Sequence, residues 1–149
     1  MKEVVGKKST GEFVLYLILF IIFTPLTIIL FVFGYDEIKE PGIIFYMLPI
    51  ILLVIFFYLI FIKKLPKDLI FIDEERLYVF QSGHYEEVLL KDIIIVTPRR
   101  ANARSFSYTF GSIIIQHKDS NISVGHVADC ENVCLTIMKR VKTLDQISD

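Results

Sequence analysis

"FVLYLILFIIFTPLTIILFVF", residues 13 to 33, runs for 21 consecutive positions without a charge. Wound as an α-helix at about 1.5 Å per residue it is about 31 Å long, close to the thickness of a hydrocarbon core. A helix apolar on every face has no wet side to turn to water, so the stretch reads as a membrane span. Residues 43 to 62, "IIFYMLPIILLVIFFYLIFI", supply 20 more such positions, again about 30 Å of helix. These two runs explain why 54% of the chain is hydrophobic.

A cleaved signal peptide is the competing reading of the first run, since Lys2, Lys7 and Lys8 precede it. The run exceeds the roughly 7 to 15 residues of a signal h-region, and "FGYDEIKE" follows where a small-x-small cleavage site would stand. Pro25 and Pro49 fall near the middles of the spans, where proline is tolerated as a bend because lipid offers the backbone no alternative to helix. Neither run holds Asp, Glu, Lys, Arg or His, which argues against a stand-alone pump or channel.

Charge sets the expected orientation. Lys2, Lys7 and Lys8 lie before the first span against Glu3 and Glu12, and Lys63, Lys64 and Lys67 after the second, while the short connection between them carries Asp36, Glu37 and Glu40 against Lys39. Lysines on both outer flanks place both termini in the cytoplasm, with Gly34 to Gly42 as a tight outer turn. The chain is thus expected to be a two-span cell-membrane protein. Its expected domains are residues 1 to 65, a tail plus hairpin, and residues 66 to 149, a cytoplasmic domain.

From residue 63 onward the side chains carry twelve basic and twelve acidic groups. That balance argues against nucleic acid as a partner, because backbone phosphates demand net positive surface. Strand signals dominate: "DLIFID", "RLYVFQ", "YEEVLL", "DIIIVT", "GSIIIQHK" and "ISVGHV", separated by turns at "DEE", "SGH" and "DSN". Six or seven short strands in series with no intervening helix imply an antiparallel barrel or sandwich. One helix closes the chain. Cys130, Val133, Cys134, Ile137, Met138, Val141 and Leu144 recur at steps of three and four, Asp129 is placed to cap it, and Glu131, Lys139, Arg140 and Lys142 take the wet side. The fold class expected is α+β: a transmembrane hairpin, then a small β-domain capped by a C-terminal helix.

The order of these segments resembles the bacterial pleckstrin-homology-like domains attached to membrane hairpins. The likeness spans about residues 66 to 143 and is carried by Leu90, Asp92 and Ile93 after a glycine turn, by Gly111 opening a strand, and by Val127 and Asp129 leading into the closing helix. It implies a bent antiparallel barrel of about seven strands with a helix over one opening, no enzyme activity and no cofactor. Such domains look like interaction or assembly modules, and some multi-span relatives are linked to resistance against membrane-active peptides.

Reactive residues point nowhere specific. Cys130 and Cys134 share a helix face as small apolar side chains, and zinc would need two further ligands at usable spacing. His84, His117 and His126 sit at turns and strand ends, outside any HExxH or GxSxG pattern. Asp68, Asp73, Glu74 and Glu75 read as solvated turn charges.

The segment "TPRRANARSFSYTFG", residues 97 to 111, stands apart. It crowds Arg99, Arg100 and Arg104 beside Phe106, Tyr108 and Phe110. Arginine and aromatic rings favour a protein-docking surface, and near an anionic leaflet each arginine adds roughly 1 kcal/mol, with the linker lysines Lys63, Lys64 and Lys67 in the same field. Period two in "SFSYTF" equally allows an aromatic strand face turned onto its own domain. The function expected is a membrane-anchored, non-enzymatic interaction or scaffold module, whose partners are the bilayer and a protein or a second copy. Protection against a membrane-active peptide and service as an accessory transporter subunit are the alternatives.

Overall fold

A computed structural model describes residues 2–37, 43–103, 106–118 and 120–148; the side chains of 33–37, 44, 45, 103, 106 and 145–148 fall outside that description. The elements are strand β1 (Glu3–Lys7), helices α1 (Thr10–Glu37) and α2 (Ile43–Lys64), strands β2 (Asp68–Ile72), β3 (Arg76–Gln81) and β4 (His84–Leu89), a 3-10 turn (Leu90–Asp92), strands β5 (Ile93–Ala103), β6 (Phe106–His117) and β7 (Asn121–Val127), and helix α3 (Cys130–Ser148). The class is α+β, with two apolar helices, two antiparallel sheets and a C-terminal helix.

The chain divides into two compact units, Gly11–Leu65 and a second made of Met1–Thr10 with Pro66–Asp149. The N-terminal tail, expected with the hairpin, is a strand of the β-unit. Glu3 pairs with Ile72, Val4 with Phe71, Gly6 with Ile70 and Lys7 with Asp68. Gly6 is needed there, since a Cβ would sit 2.9 Å from that of Ile70. The hairpin is therefore an insertion between the first two strands of one sheet.

Within the β-unit the sheets run β1-β2-β3-β4 and β5-β6-β7. Opposed pairs carry the core: Ile70 faces Val79, Ile72 faces Leu77, and Leu77 faces Val88, all buried. Ser82 and Gly83, with φ of 51° and 91°, form the two-residue β3–β4 turn that primed hairpins need. On the second sheet Ile113 and Ile115 alternate inward against Val124 and Ile122. Among the described residues no closed barrel forms. The sheets are linked by a bridge between Lys8 and Val127, where Ser9 N–H donates to His126 O (2.7 Å) and Ala128 N–H to Lys7 O (2.8 Å). His126 adopts φ of 61° at this corner, an uncommon conformation for a side-chain-bearing residue.

Helix α3 lays Cys130, Val133, Cys134, Ile137 and Val141 into the same core, with Met138 and Leu144 half-buried beside it. Asp129 departs from the expected cap. Its φ is 48°, and its carboxylate accepts from the Asn132 side-chain amide (2.5 Å).

In the hairpin unit, Thr10–Val32 and Tyr46–Lys64 are long and apolar enough to cross a membrane. Both helices continue through their prolines. Around Pro25, Thr24 and Thr27 donate their hydroxyls to the carbonyls of Phe20 and Phe23 (2.6 and 2.7 Å), which satisfies those hydroxyls within the helix itself. The helices meet through aromatic contacts, Tyr16 with Tyr58 and Phe20 with Phe56.

Candidate functional site

The described residues of the segment 97 to 111 are mostly paired strand. β5 and β6 stay in register from Thr97↔Ile114 to Arg100↔Gly111 and again at Asn102↔Ser107 and Ala103↔Phe106. Strand β7 joins β6 only up to Gly111↔Val127, so the tip is a two-stranded ribbon without a third strand. Pro98 lies in β5, an edge strand, the position in a sheet where proline is tolerated.

The ribbon is irregular at one place. Between Arg100↔Gly111 and Asn102↔Ser107, Ala101 faces the three residues Tyr108, Thr109 and Phe110. That bulge sets the Tyr108 and Phe110 rings on one side, stacked with centroids 4.9 Å apart and half-buried. Gly111 makes it possible, because a Cβ would lie 2.1 Å from the Arg99 carbonyl oxygen.

The arginines separate in role. Arg100 forms an ion pair with Glu131 in the first turn of α3, and the hydrogen bond to that carboxylate pushes its pKa up. Arg99 is exposed, without an ion pair among the described residues. Arg104 and the side chain of Phe106 lie outside the described residues. Lys63 and Lys64 end α2 and are exposed. Lys67 is exposed too, and its carbonyl accepts the backbone N–H of Lys8 at 2.8 Å.

The cysteines are buried, free thiols. Burial pushes both thiol pKa values up, and Cys134 Sγ donates to the Val96 carbonyl (2.9 Å), tying α3 to β5. A raised thiol pKa is the reverse of what a nucleophile needs. Among the described residues no group of three or more His, Cys, Asp or Glu could hold a metal ion. His117 shares a hydrogen bond with Ser120 (2.8 Å), and His84 lies 3.9 Å from Glu86.

Sequence reasoning missed Glu12. Counted with the tail charges, it lies in the third position of α1, inside the apolar segment, and is buried. The Tyr58 hydroxyl donates to its carboxylate at 2.8 Å, and the Tyr16 ring meets the Tyr58 ring edge-on at 4.5 Å. The legible signal is that Glu12, Tyr16 and Tyr58 all fall near the same end of the hairpin.

Set against protein-family models, curated proteins and solved structures, the chain matches none.

Proposed function

We propose that this protein is a membrane-anchored interaction module without enzymatic activity. Its hairpin spans the cell membrane with both termini in the cytoplasm, and its β-unit is a pleckstrin-homology-like domain held at the inner surface. The observation that carries this reading is the insertion of the hairpin between β1 and β2, which pair directly. A hairpin whose two ends feed neighbouring strands must return both ends to one side, and the lysine bias makes that side the cytoplasm. Bare apolar side chains along the helices, such as Ile21, Val32 and Phe57, are what lipid would cover.

Seven strands in groups of four and three with a closing helix support the family resemblance at the level of architecture. The docking element is the β5–β6 ribbon tip, with Tyr108 and Phe110 beyond the third strand and the exposed Arg99 at its base, opposite Ser112. Its partner is a protein, because stacked aromatic rings beside an exposed arginine are the composition of an interface hot spot.

The test is photo-crosslinking in native membranes from a probe placed at Thr109, in wild type and in Arg99→Glu with Arg104→Glu. Arg100 is left alone because it braces α3. A discrete protein adduct that disappears in the double variant supports the reading. Adducts to lipid alone, or one unchanged by charge reversal, would overturn the ribbon as docking element. Proteolysis of the β-unit from outside intact cells would overturn the orientation.

A further inference from the structure

Apart from the ribbon, and without resting on it, we infer that two copies of this chain associate through a second surface, β4 of each copy lying against the start of β5 in the other. The bridge between Lys8 and Val127 joins the two sheets into one run, β4-β3-β2-β1-β7-β6-β5, whose end strands are β4 and β5. Among the described residues β4 pairs with β3 alone and β5 with β6 alone, so two strand edges stay open. Open edges invite a further strand unless something covers them.

Helix α3 covers part of β5, where the Cys134 thiol donates to the Val96 carbonyl and Glu131 pairs with Arg100. Just before that cover, Ile94 and Ile95 are 60% and 46% exposed. A register shift between Ile93 and Ile95 breaks the in-out alternation there, which is how two successive isoleucines come to be bare. Among the described residues of the β-unit the other exposed large apolar side chains are Val4, Tyr85 and Leu135. Lys91, on the turn that leads into β5, is exposed beside the isoleucines.

Strand β4 is the complement of this edge. It carries Glu86 and Glu87 without a lysine or arginine, and its Tyr85 is 41% exposed. Residues 90 to 103 carry Lys91, Arg99 and Arg100 against Asp92, which Lys118 holds. Two β4 edges laid together would set glutamate against glutamate, and two β5 edges arginine against arginine, both destabilising. The mixed contact sets an acidic edge with a bare tyrosine on a basic edge with two bare isoleucines. Glu87 pairs with Arg76, and Glu86 lies 3.9 Å from His84. These are exposed pairs of small worth, so they yield readily to a lysine from a second copy.

The occupant is a second copy because both halves of the complementarity lie in one chain, side by side. Only Leu90–Asp92 separates β4 from β5. A twofold axis at that corner sets β4 against the other copy's β5 and β5 against the other copy's β4 at once, and the assembly closes as a dimer.

The experiment expresses two differently tagged full-length chains together, fixes intact cells with formaldehyde, captures one tag and measures the other. Wild type is expected to be co-captured as a dimer. Ile94→Asp is expected to lower co-capture about tenfold, since the change enters the interface twice. Glu86→Lys on both copies, or Lys91→Glu on both, is expected to do the same by opposing like charges. Glu86→Lys on one tagged copy with Lys91→Glu on the other restores it, because each contact of the mixed dimer then joins opposite charges. All three residues are exposed or half-buried, and thermal unfolding of each variant reads the fold separately.

No co-capture in wild type, co-capture indifferent to Ile94→Asp, or charge variants that stay apart when mixed would overturn the inference. A ladder of adducts beyond the dimer would overturn the twofold closure. Recovery of a different protein in place of the second tag would overturn the choice of occupant.

Discussion

The hydroxyl of Tyr58 on α2 donates to the carboxylate of Glu12 on α1 at 2.8 Å. It is a hydrogen bond between the helices of the hairpin, to a carboxylate that is buried. A hydrogen bond to a charged group contributes about 1.5–3 kcal/mol. Tyr58→Phe should therefore destabilise the hairpin by about that amount, measured as the loss of folded protein in a detergent titration. Glu12→Gln, which keeps an acceptor, should cost less. Equal stability of Tyr58→Phe and wild type would show that the pair carries no load.

Gly111 and Gly125 make a matched pair of tests on β6 and β7. An added methyl at Gly111 would meet the Arg99 carbonyl oxygen at 2.1 Å, whereas at Gly125 nothing lies within 4 Å. Gly111→Ala should cost about 2 kcal/mol or more by forcing the ribbon backbone apart. Gly125→Ala should stay within about 0.5 kcal/mol. Thermal unfolding of the two variants decides it, and similar melting points would contradict the bulge geometry.

Strand β1 should be indispensable to the β-unit. Gly6→Val pushes a branched side chain into Ile70, whose Cβ is 2.9 Å from where the new one would stand. The expected loss is about 1–3 kcal/mol from overpacking. A fragment of residues 66–149 leaves the edge of β2 bare, so it should aggregate, and a peptide of residues 2–9 should restore solubility. A fragment that is monomeric and folded without the peptide would mean that β1 is dispensable.

The Asp92–Lys118 ion pair gives the β-unit an acid-side pH dependence. Lys118 Nζ lies 2.9 Å from Asp92 Oδ1, and that hydrogen bond holds the carboxyl below its ordinary value. A folded-state pKa below the unfolded one means the contribution is full above the unfolded value and is lost as pH falls through the folded one. Wild type should thus exceed Lys118→Ala in urea midpoint at neutral pH, and the two should converge in acid. A difference that persists unchanged in acid would assign the effect to packing. Carbon NMR of Asp92 should show its titration midpoint rising in the variant.

Several features of this protein were legible without coordinates because their signals are local. Two charge-free runs of helical length, six strands bounded by turn residues, and the apolar stripe of α3 at steps of three and four each lie within one segment. The stripe is seated as its spacing requires, from Cys130 through Val141. The aromatic period in "SFSYTF" allowed Tyr108 and Phe110 a common face, and the bulge opposite Ala101 is where their rings stack.

Other features needed a partner that the local pattern does not contain. "EVVGK" becomes a strand because the edge of β2 stands beside it, on the far side of both helices in sequence. Arg100 looked like its neighbours until Glu131 of α3 took it, and Glu12 looked like a tail charge until Tyr58 met it. By itself the sequence determined which segments are helix or strand and which are apolar enough for lipid, since hydrophobic period and backbone sterics act over a few residues. Only the tertiary structure decided which strand completes the sheet and which arginine is left exposed. Those follow from hydrogen bonds and ion pairs between residues that the chain itself holds far apart.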